Sequence, residues 1–93
     1  MSIVSFRCIT TKSLFMGRRI RRFQDIQRVA IRKLAMLDAA VRLEDLRIPP
    51  ANRLEPLRAN RAGQHSIRVN DQYRLCFTWT DAGPADVELC DYH

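Results

Sequence analysis

Apolar residues recur with helical spacing through one long stretch in the first half of the chain. Residues 22–40 contain no glycine or proline, and their apolar side chains return every three or four positions. This spacing predicts a helix with one buried face, because most of its basic residues fall off that face. The predicted buried face comprises Phe23, Ile26, Ala30, Leu34 and Leu37.

The first seventeen residues carry the signals of a strand followed by a short helix. Residues 3–7 are rich in β-branched and aromatic types, which favours a strand. Thr10, Thr11 and Ser13 are candidate N-caps of a helical turn, which is predicted to end near Gly17.

The second half of the chain alternates apolar and polar residues, as half-buried strands do. Strands are predicted over residues 64–70, 73–80 and 85–92, separated by turn compositions at 70–72 and 81–84. The apolar positions, which would face the helix, are Ile67, Val69, Leu75, Phe77, Val87 and Leu89.

This order of elements predicts an α+β fold in which an antiparallel sheet packs against N-terminal helices. A chain of 93 residues can bury one hydrophobic core, so residues 1–93 are predicted to form a single domain. The sheet face away from the helices is expected to be wet, with Arg68 and Arg74 on it.

The chain is basic, and its basic residues are nearly all arginine. Lys12 and Lys33 are the only lysines among the sixteen basic residues. With ten acidic residues, the chain has a net charge of +6. The planar guanidinium matches phosphate and stacks on bases, so this bias favours a nucleic-acid partner over a merely solvated surface. No apolar stretch is long enough to span a bilayer, and no membrane partner is expected.

Motifs for cofactor or metal chemistry are missing from the sequence. Cys8, Cys76 and Cys90 lack zinc-site spacing, and His65 and His93 are the only histidines, so neither a cofactor nor a metal is expected. The chemistry left to an arginine-rich surface is metal-free RNA cleavage, in which a ribose 2′-OH attacks the neighbouring phosphate.

Several segments of the second half resemble the HigB branch of the RelE toxin superfamily. They are residues 53–63 (RLEPLRANRAG), 66–70 (SIRVN), 73–77 (YRLCF) and the terminal 91–93 (DYH). Any one of them alone would be a weak signal, but their order and the chain length make the resemblance specific.

The resemblance implies a RelE-like (microbial RNase-like) fold and a cytoplasmic toxin of a type II toxin–antitoxin system. The implied activity is ribosome-dependent endoribonucleolytic cleavage of mRNA in the A site, which inhibits translation. The implied partners are a HigA-type helix-turn-helix antitoxin and the 70S ribosome with its mRNA, while DNA would be contacted only through the antitoxin.

The resemblance also assigns residues. Those it implies for catalysis are His93, Tyr92, Asp91 and Arg74. Those it implies for RNA binding are Arg58, Arg61 and Arg68. His93 would donate a proton to the leaving oxygen, although a frayed chain end is the ordinary fate of a last residue. For Arg74 a phosphate clamp and half of a cross-strand ion pair are both open.

A cluster of four arginines lies at the start of the predicted long helix. Its members are Arg18, Arg19, Arg21 and Arg22. It is expected to contact ribosomal RNA backbone or an acidic antitoxin surface, with a solvated helix start as the plain alternative.

The sequence departs from the family pattern at two places. Residues 58–61 read Arg-Ala-Asn-Arg where Lys-Gly-Asp-Arg is usual, and Glu55 stands where some members have histidine. Glutamate can accept a proton, so the second departure is compatible with activity. A same-fold toxin with another target, such as a topoisomerase, and a non-catalytic basic RNA- or DNA-binding module are the alternative functions.

Overall fold

The computed structural model describes residues 2–91, so Met1, Tyr92 and His93 lie outside the account that follows. The helices in this range are α1 (Ile9–Phe15) and α2 (Gln27–Ala39), and the strands are β1 (Glu55–Pro56), β2 (His65–Arg68), β3 (Tyr73–Thr80) and β4 (Gly83–Asp91). Short 3-10 turns lie at Arg21–Phe23, Leu43–Arg47, Pro50–Asn52 and Ala59–Arg61. The strands form one antiparallel sheet in the order β1-β2-β3-β4, which confirms the α+β layout.

Helix α1 starts differently from the prediction and ends as predicted. Its N-cap position is occupied by Cys8, in extended backbone conformation, and not by one of the expected threonines or serine. Thr11 is instead buried inside the helix, where its Oγ1 accepts a hydrogen bond from Leu89 N at 3.0 Å. Gly17, with φ of +84°, follows the last turn in the left-handed conformation that commonly terminates helices. The hydrogen bond between Thr11 and Leu89 connects helix α1 to β4.

The predicted first strand over residues 3–7 is wrong as a regular strand. The segment makes one isolated parallel bridge to β4, between Phe6 and Val87. At this point β4 is irregular, because Asp86 has φ of +52° and its N–H bonds to Ser5 Oγ at 2.9 Å. A further backbone hydrogen bond, from Val4 N to Pro84 O at 2.7 Å, lies beyond this irregularity, so the contact continues without forming a regular ladder.

The long helix is shorter than the predicted range 22–40, because α2 begins at Gln27. The Gln27 side chain accepts a hydrogen bond from Ile20 N at 3.1 Å and donates one to Arg18 O at 3.0 Å. Because these bonds fix the backbone at residues 18 and 20, the turn Arg21–Phe23 remains separate from the helix. The predicted apolar face is confirmed on α2, where Ala30, Leu34 and Leu37 are buried. Phe23 is also buried but belongs to the preceding turn, and Ile26, which precedes α2, packs against the core while partly exposed. No helix within the described residues combines the length and apolarity needed to cross a membrane.

The sheet matches the predicted strands with adjustments at their ends. Strand β3 has the expected bounds, whereas β2 stops at Arg68 and β4 already begins at Gly83. Strand β1 was not predicted, since two residues carry no alternation. The residues predicted to face the helices are all buried, namely Ile67, Val69, Leu75, Phe77, Val87 and Leu89. They form one core with α1 and α2.

A buried lysine fixes the chain that leads into β1. Lys33 of α2 donates from Nζ to Asn52 Oδ1, and Asn52 Nδ2 donates to Leu46 O at 3.1 Å. Asn52 is fully buried, so its amide has to find partners within the protein. The turn Pro50–Asn52 is thereby fastened to α2, which sets the position of the following strand.

The prediction that the second sheet face is wet is wrong at the centre of the sheet. Ser66, Arg74 and Cys76 point away from the helices, yet they are 0%, 7% and 2% exposed. Strand β1 extends the sheet on the β2 side, and the turn Ala59–Arg61 follows it. Arg53 and Glu55 of this segment contact the Arg74 guanidinium directly. Arg74 therefore lies within a covered polar layer.

Candidate active site on the polar sheet face

A row of polar side chains crosses the covered face of the sheet. The register pairs Glu55 with Ser66, Ser66 with Cys76, and Cys76 with Glu88. Directly paired residues of antiparallel strands point to the same face, so these four side chains are neighbours. The row carries a carboxylate at each end, with a hydroxyl and a thiol between them. Each carboxylate is paired with an arginine.

Arg74 is the arginine of the first pair. Its Nε donates to Ser66 Oγ at 2.7 Å, and its Nη2 donates to the carbonyl of Arg53 at 2.6 Å and lies 3.5 Å from Glu55 Oε1. A buried guanidinium is tolerated when its donors are satisfied, and these partners fix its plane. Arg74 thus forms the cross-strand ion pair considered above. Its partner Glu55 lies on β1, which is separated from β3 by β2.

Arg61 is the arginine of the second pair. Its Nη1 donates to Gln64 Oε1 at 3.1 Å and its Nη2 donates to Glu88 Oε1 at 3.2 Å. Glu88 Oε1 also accepts a hydrogen bond from Cys90 Sγ at 3.2 Å. A hydrogen bond with Cys76, burial and the nearby Glu88 all raise the pKa of the Cys90 thiol, which therefore stays protonated and able to donate. Hydrogen bonds from Arg61 to Gln64 and from Cys90 to Glu88 thus fix the two members of the second pair.

A cleft of about 500 Å³ opens beside these pairs. It is lined by Glu55, Pro56, Leu57, Arg58 and Arg61. The Glu55 side chain is 44% exposed, so its carboxylate is accessible while Arg74 holds it from behind. Arg58 is exposed and Arg61 is partly buried. The cleft therefore offers one proton acceptor, two accessible cations and an apolar wall.

The loop between the two cleft arginines adopts a backbone conformation that glycine favours. Ala59 has φ of +57°, in the left-handed region. This is the position at which the resembled family usually has glycine, so the departure noted in the sequence falls on a residue with a left-handed backbone. The loop keeps the glycine-type conformation at an energetic cost to the alanine.

The structure gathers some of the predicted site residues and separates others. Arg58 and Arg61 line the cleft, and the buried Arg74 contacts Glu55 of its lining. Arg68 lies in the next row, opposite Arg74, where it forms an ion pair with the exposed Asp71. Asp91 ends β4 opposite Tyr73, on the same strand phase as the core residue Leu89, and accepts a hydrogen bond from Gln72 Nε2 at 3.2 Å. The predicted catalytic residues Tyr92 and His93 lie outside the described residues.

The four arginines between the helices form a second basic surface. Arg18, Arg19, Arg21 and Arg22 are all exposed. The Arg22 guanidinium lies 4.7 Å from the centre of the Phe23 ring, a cation–π contact. Arg19 also lines a shallow cleft of about 610 Å³ together with Asp25 and Arg28. This surface is built from side chains free to meet an extended partner.

His65 packs against a neighbouring aromatic residue of the sheet. Its ring stacks on Phe77 at 6.4 Å between centroids, and no partner in residues 2–91 reaches its buried Nδ1. Across the same range, no group of three or more His, Cys, Asp and Glu side chains is placed to hold a metal ion.

Sequence reasoning missed Ser66 and Glu88 and left Glu55 undecided. Alternation along each strand does place Ser66 and Glu88 on the polar phase. What it could not supply was the register between strands, which brings these side chains to Arg74 and Arg61. The sequence marked Glu55 only as a departure from the family pattern, because a strand of two residues such as β1 shows no alternation.

Solved structures of small bacterial toxins share this fold. The YoeB dimer from Staphylococcus aureus matches with a TM-score of 0.58 at 22% identity, over 100% of this chain and 97% of that chain. The YoeB–YefM complex from the same organism matches with a TM-score of 0.57 at 21% identity, over 100% and 99%. At these identities the likeness shows the fold, which is RelE-like.

Sequence comparison defines the family more narrowly. The family described as the RelE-like toxin of type II toxin–antitoxin system HigB matches residues 15–93. Toxin HigB-1 from Vibrio cholerae serotype O1 is 57% identical over 56 residues, 60% of this chain. The chain belongs to the HigB-like toxin family. Its match spans 59% of the length of that curated relative.

Proposed function

We propose that this chain is the toxin of a type II toxin–antitoxin system and that it cleaves mRNA on the ribosome, inhibiting translation. The observation that carries the proposal is the cleft in which Glu55, held by Arg74, stands beside Arg58 and Arg61. A proton acceptor among fixed cations is what attack by a 2′-OH on a phosphodiester requires. The family assignment supports the same function.

In the proposed reaction Glu55 accepts the proton of the ribose 2′-OH, and the freed oxygen bonds to the adjacent phosphorus. The bond from phosphorus to the 5′ oxygen then breaks, which leaves a 2′,3′-cyclic phosphate. The departing 5′ oxygen takes a proton, for which His93 is the proposed donor. Arg58 and Arg61 stabilise the negative charge that grows on the phosphate oxygens. DNA lacks the 2′-OH and is not a substrate.

The terminal residues complete the proposed site. Tyr92 is proposed to stack on an unpaired base, as aromatic side chains do in single-stranded RNA recognition. Asp91 is proposed to orient His93 or a neighbouring arginine. Arg68 is proposed to contact a flanking phosphate, since it stands in register with Arg74 on the polar face.

The proposed partners are the 70S ribosome with its mRNA and a HigA-type helix-turn-helix antitoxin, which alone would contact DNA. The family description, which names a toxin–antitoxin system, supports the antitoxin. The exposed cluster Arg18, Arg19, Arg21 and Arg22 is proposed to bind ribosomal RNA backbone or an acidic antitoxin surface, because such charge is attractive to either. A toxin acting on ribosomes works in the cytoplasm.

The direct test compares two glutamate variants in a ribosome-dependent cleavage assay with a defined mRNA. Glu55→Gln removes the proposed base and is expected to slow cleavage by about 10²–10⁴-fold. Glu44→Gln removes one acid from the exposed face of the turn Leu43–Arg47 and is expected to cleave normally. Equal rates for both variants would show that Glu55 is not the base.

A second measurement addresses the alternatives. If the unmodified chain leaves ribosome-bound mRNA intact but binds RNA with a steep salt dependence, it is a passive basic module. If it leaves mRNA intact and inhibits another target such as a topoisomerase, the fold has been retained for a different activity. Intact cleavage by His93→Ala would remove His93 from the mechanism.

A further inference from the structure

Arg61 is held at both ends of its guanidinium before any substrate arrives. Nη1 is bonded to Gln64 from its own loop, whereas Nη2 is bonded to Glu88 from β4. An arginine on a loop otherwise samples many rotamers, and ordering it on binding costs entropy. The bond to Glu88 is the one that connects this loop residue to the rigid sheet.

Glu88 is itself fixed by its surroundings. It lies opposite Cys76 in the sheet register, and its side chain is 23% exposed. One carboxylate oxygen accepts hydrogen bonds from Arg61 and from the Cys90 thiol, while the other lies 4.0 Å from Arg7 Nε. Glu88 is not among the residues that line the cleft, so it acts on a substrate only through Arg61.

We propose that Glu88 is a positioning residue that aims the Arg61 guanidinium at the phosphate bound in the cleft. The inference rests on the proposed RNA cleavage. Glu88 supplies a fixed anionic anchor, so Arg61 keeps one orientation and pays little entropy when the phosphate arrives. A neutral or missing anchor would leave Arg61 present and charged but disordered.

The test is a double-mutant cycle between Glu88 and Arg61 in the ribosome-dependent cleavage assay. Glu88→Ala is expected to lower kcat/KM about tenfold in the unmodified background and less than twofold in the Arg61→Ala background. Glu88→Gln keeps an oxygen acceptor for Nη2 and is expected to recover about half of the lost activity on a logarithmic scale. Arg7→Gln is the matched control, because it removes the other charge on Glu88 and leaves the Arg61 bond in place.

The outcomes separate the possible failures. An equal loss on Glu88→Ala in both backgrounds would mean that Glu88 supports the fold and not Arg61, which overturns the inference while the proposed function stands. A loss for Arg7→Gln as large as for Glu88→Ala would overturn it as well. If the unmodified chain does not cleave mRNA at all, the proposed function and this inference fail together. Thermal unfolding of Glu88→Gln checks that the isosteric variant is folded.

Discussion

Ala59 is the position at which one substitution tests the backbone of the proposed active loop. Its φ of +57° is left-handed, and an L side chain there costs about 1–2 kcal/mol because Cβ crowds the following carbonyl oxygen. Glycine removes that crowding but loses about 0.5–1 kcal/mol by gaining freedom in the unfolded chain. The Ala59 methyl is exposed and contributes little packing. Ala59→Gly is therefore expected to stabilise the protein by about 0.5–1 kcal/mol.

Ala62 provides a matched control three residues further along the same loop. It is also exposed, but its φ of −55° and ψ of 137° are unstrained for alanine. Ala62→Gly is expected to destabilise by about 0.5–1 kcal/mol. In urea denaturation, with m near 1–2 kcal/mol/M, the two midpoints should move in opposite directions by about 0.3–1 M. If both variants lower the midpoint at constant m, the cost assigned to Ala59 is refuted.

Three further predictions concern the core, the site and pH. Leu34→Ala empties a fully buried position and should cost about 3 kcal/mol in unfolding free energy, so a loss below about 1 would contradict the packing described. Ser66→Ala leaves the Arg74 Nε without its acceptor and should cost about 1–3 kcal/mol, together with a measurable loss of cleavage; unchanged stability would mean that another group replaces Ser66. Two backbone N–H groups lower the pKa of Asp45, so its stabilisation is present above about pH 4 and disappears as pH falls through the lowered value. Asp45→Asn is expected to flatten the fall in melting temperature as the pH decreases through this range. Parallel plots of melting temperature against pH for the variant and the unmodified chain would exclude this contribution.

The helical core was predictable because its signal is local. Leu34 and Leu37 repeat with the helical period, and burial of one face follows from that spacing alone. The start of α2 was not predictable in the same way. It depends on hydrogen bonds between the Gln27 side chain and the backbone of Arg18 and Ile20. The spacing of apolar residues gives no information about such bonds.

The site was only partly predictable because its geometry depends on strand register. Arg58, Arg61 and Arg74 could be chosen from residue type and family resemblance. The carboxylates that hold two of them could not, because Glu55 and Glu88 come from strands at opposite edges of the sheet. The burial of Arg74 was also unexpected. The contact between Arg74 and Glu55 depends on β1, and a strand of two residues shows no alternation in the sequence.

Two sets of arginines in this chain have different physical roles. Arg18 and its neighbours between the helices are exposed, so their attraction to a polyanion is long-ranged and weakened by salt. Arg74 is buried and is fixed by its hydrogen bonds, whereas Arg61 is partly exposed and is held in place by Glu88. A fixed cation stabilises a transition state without reorganising, whereas an exposed one mainly draws the substrate in. In the proposed function the net charge of +6 therefore serves two steps: exposed arginines for encounter with the ribosome, and anchored arginines for the chemistry at Glu55.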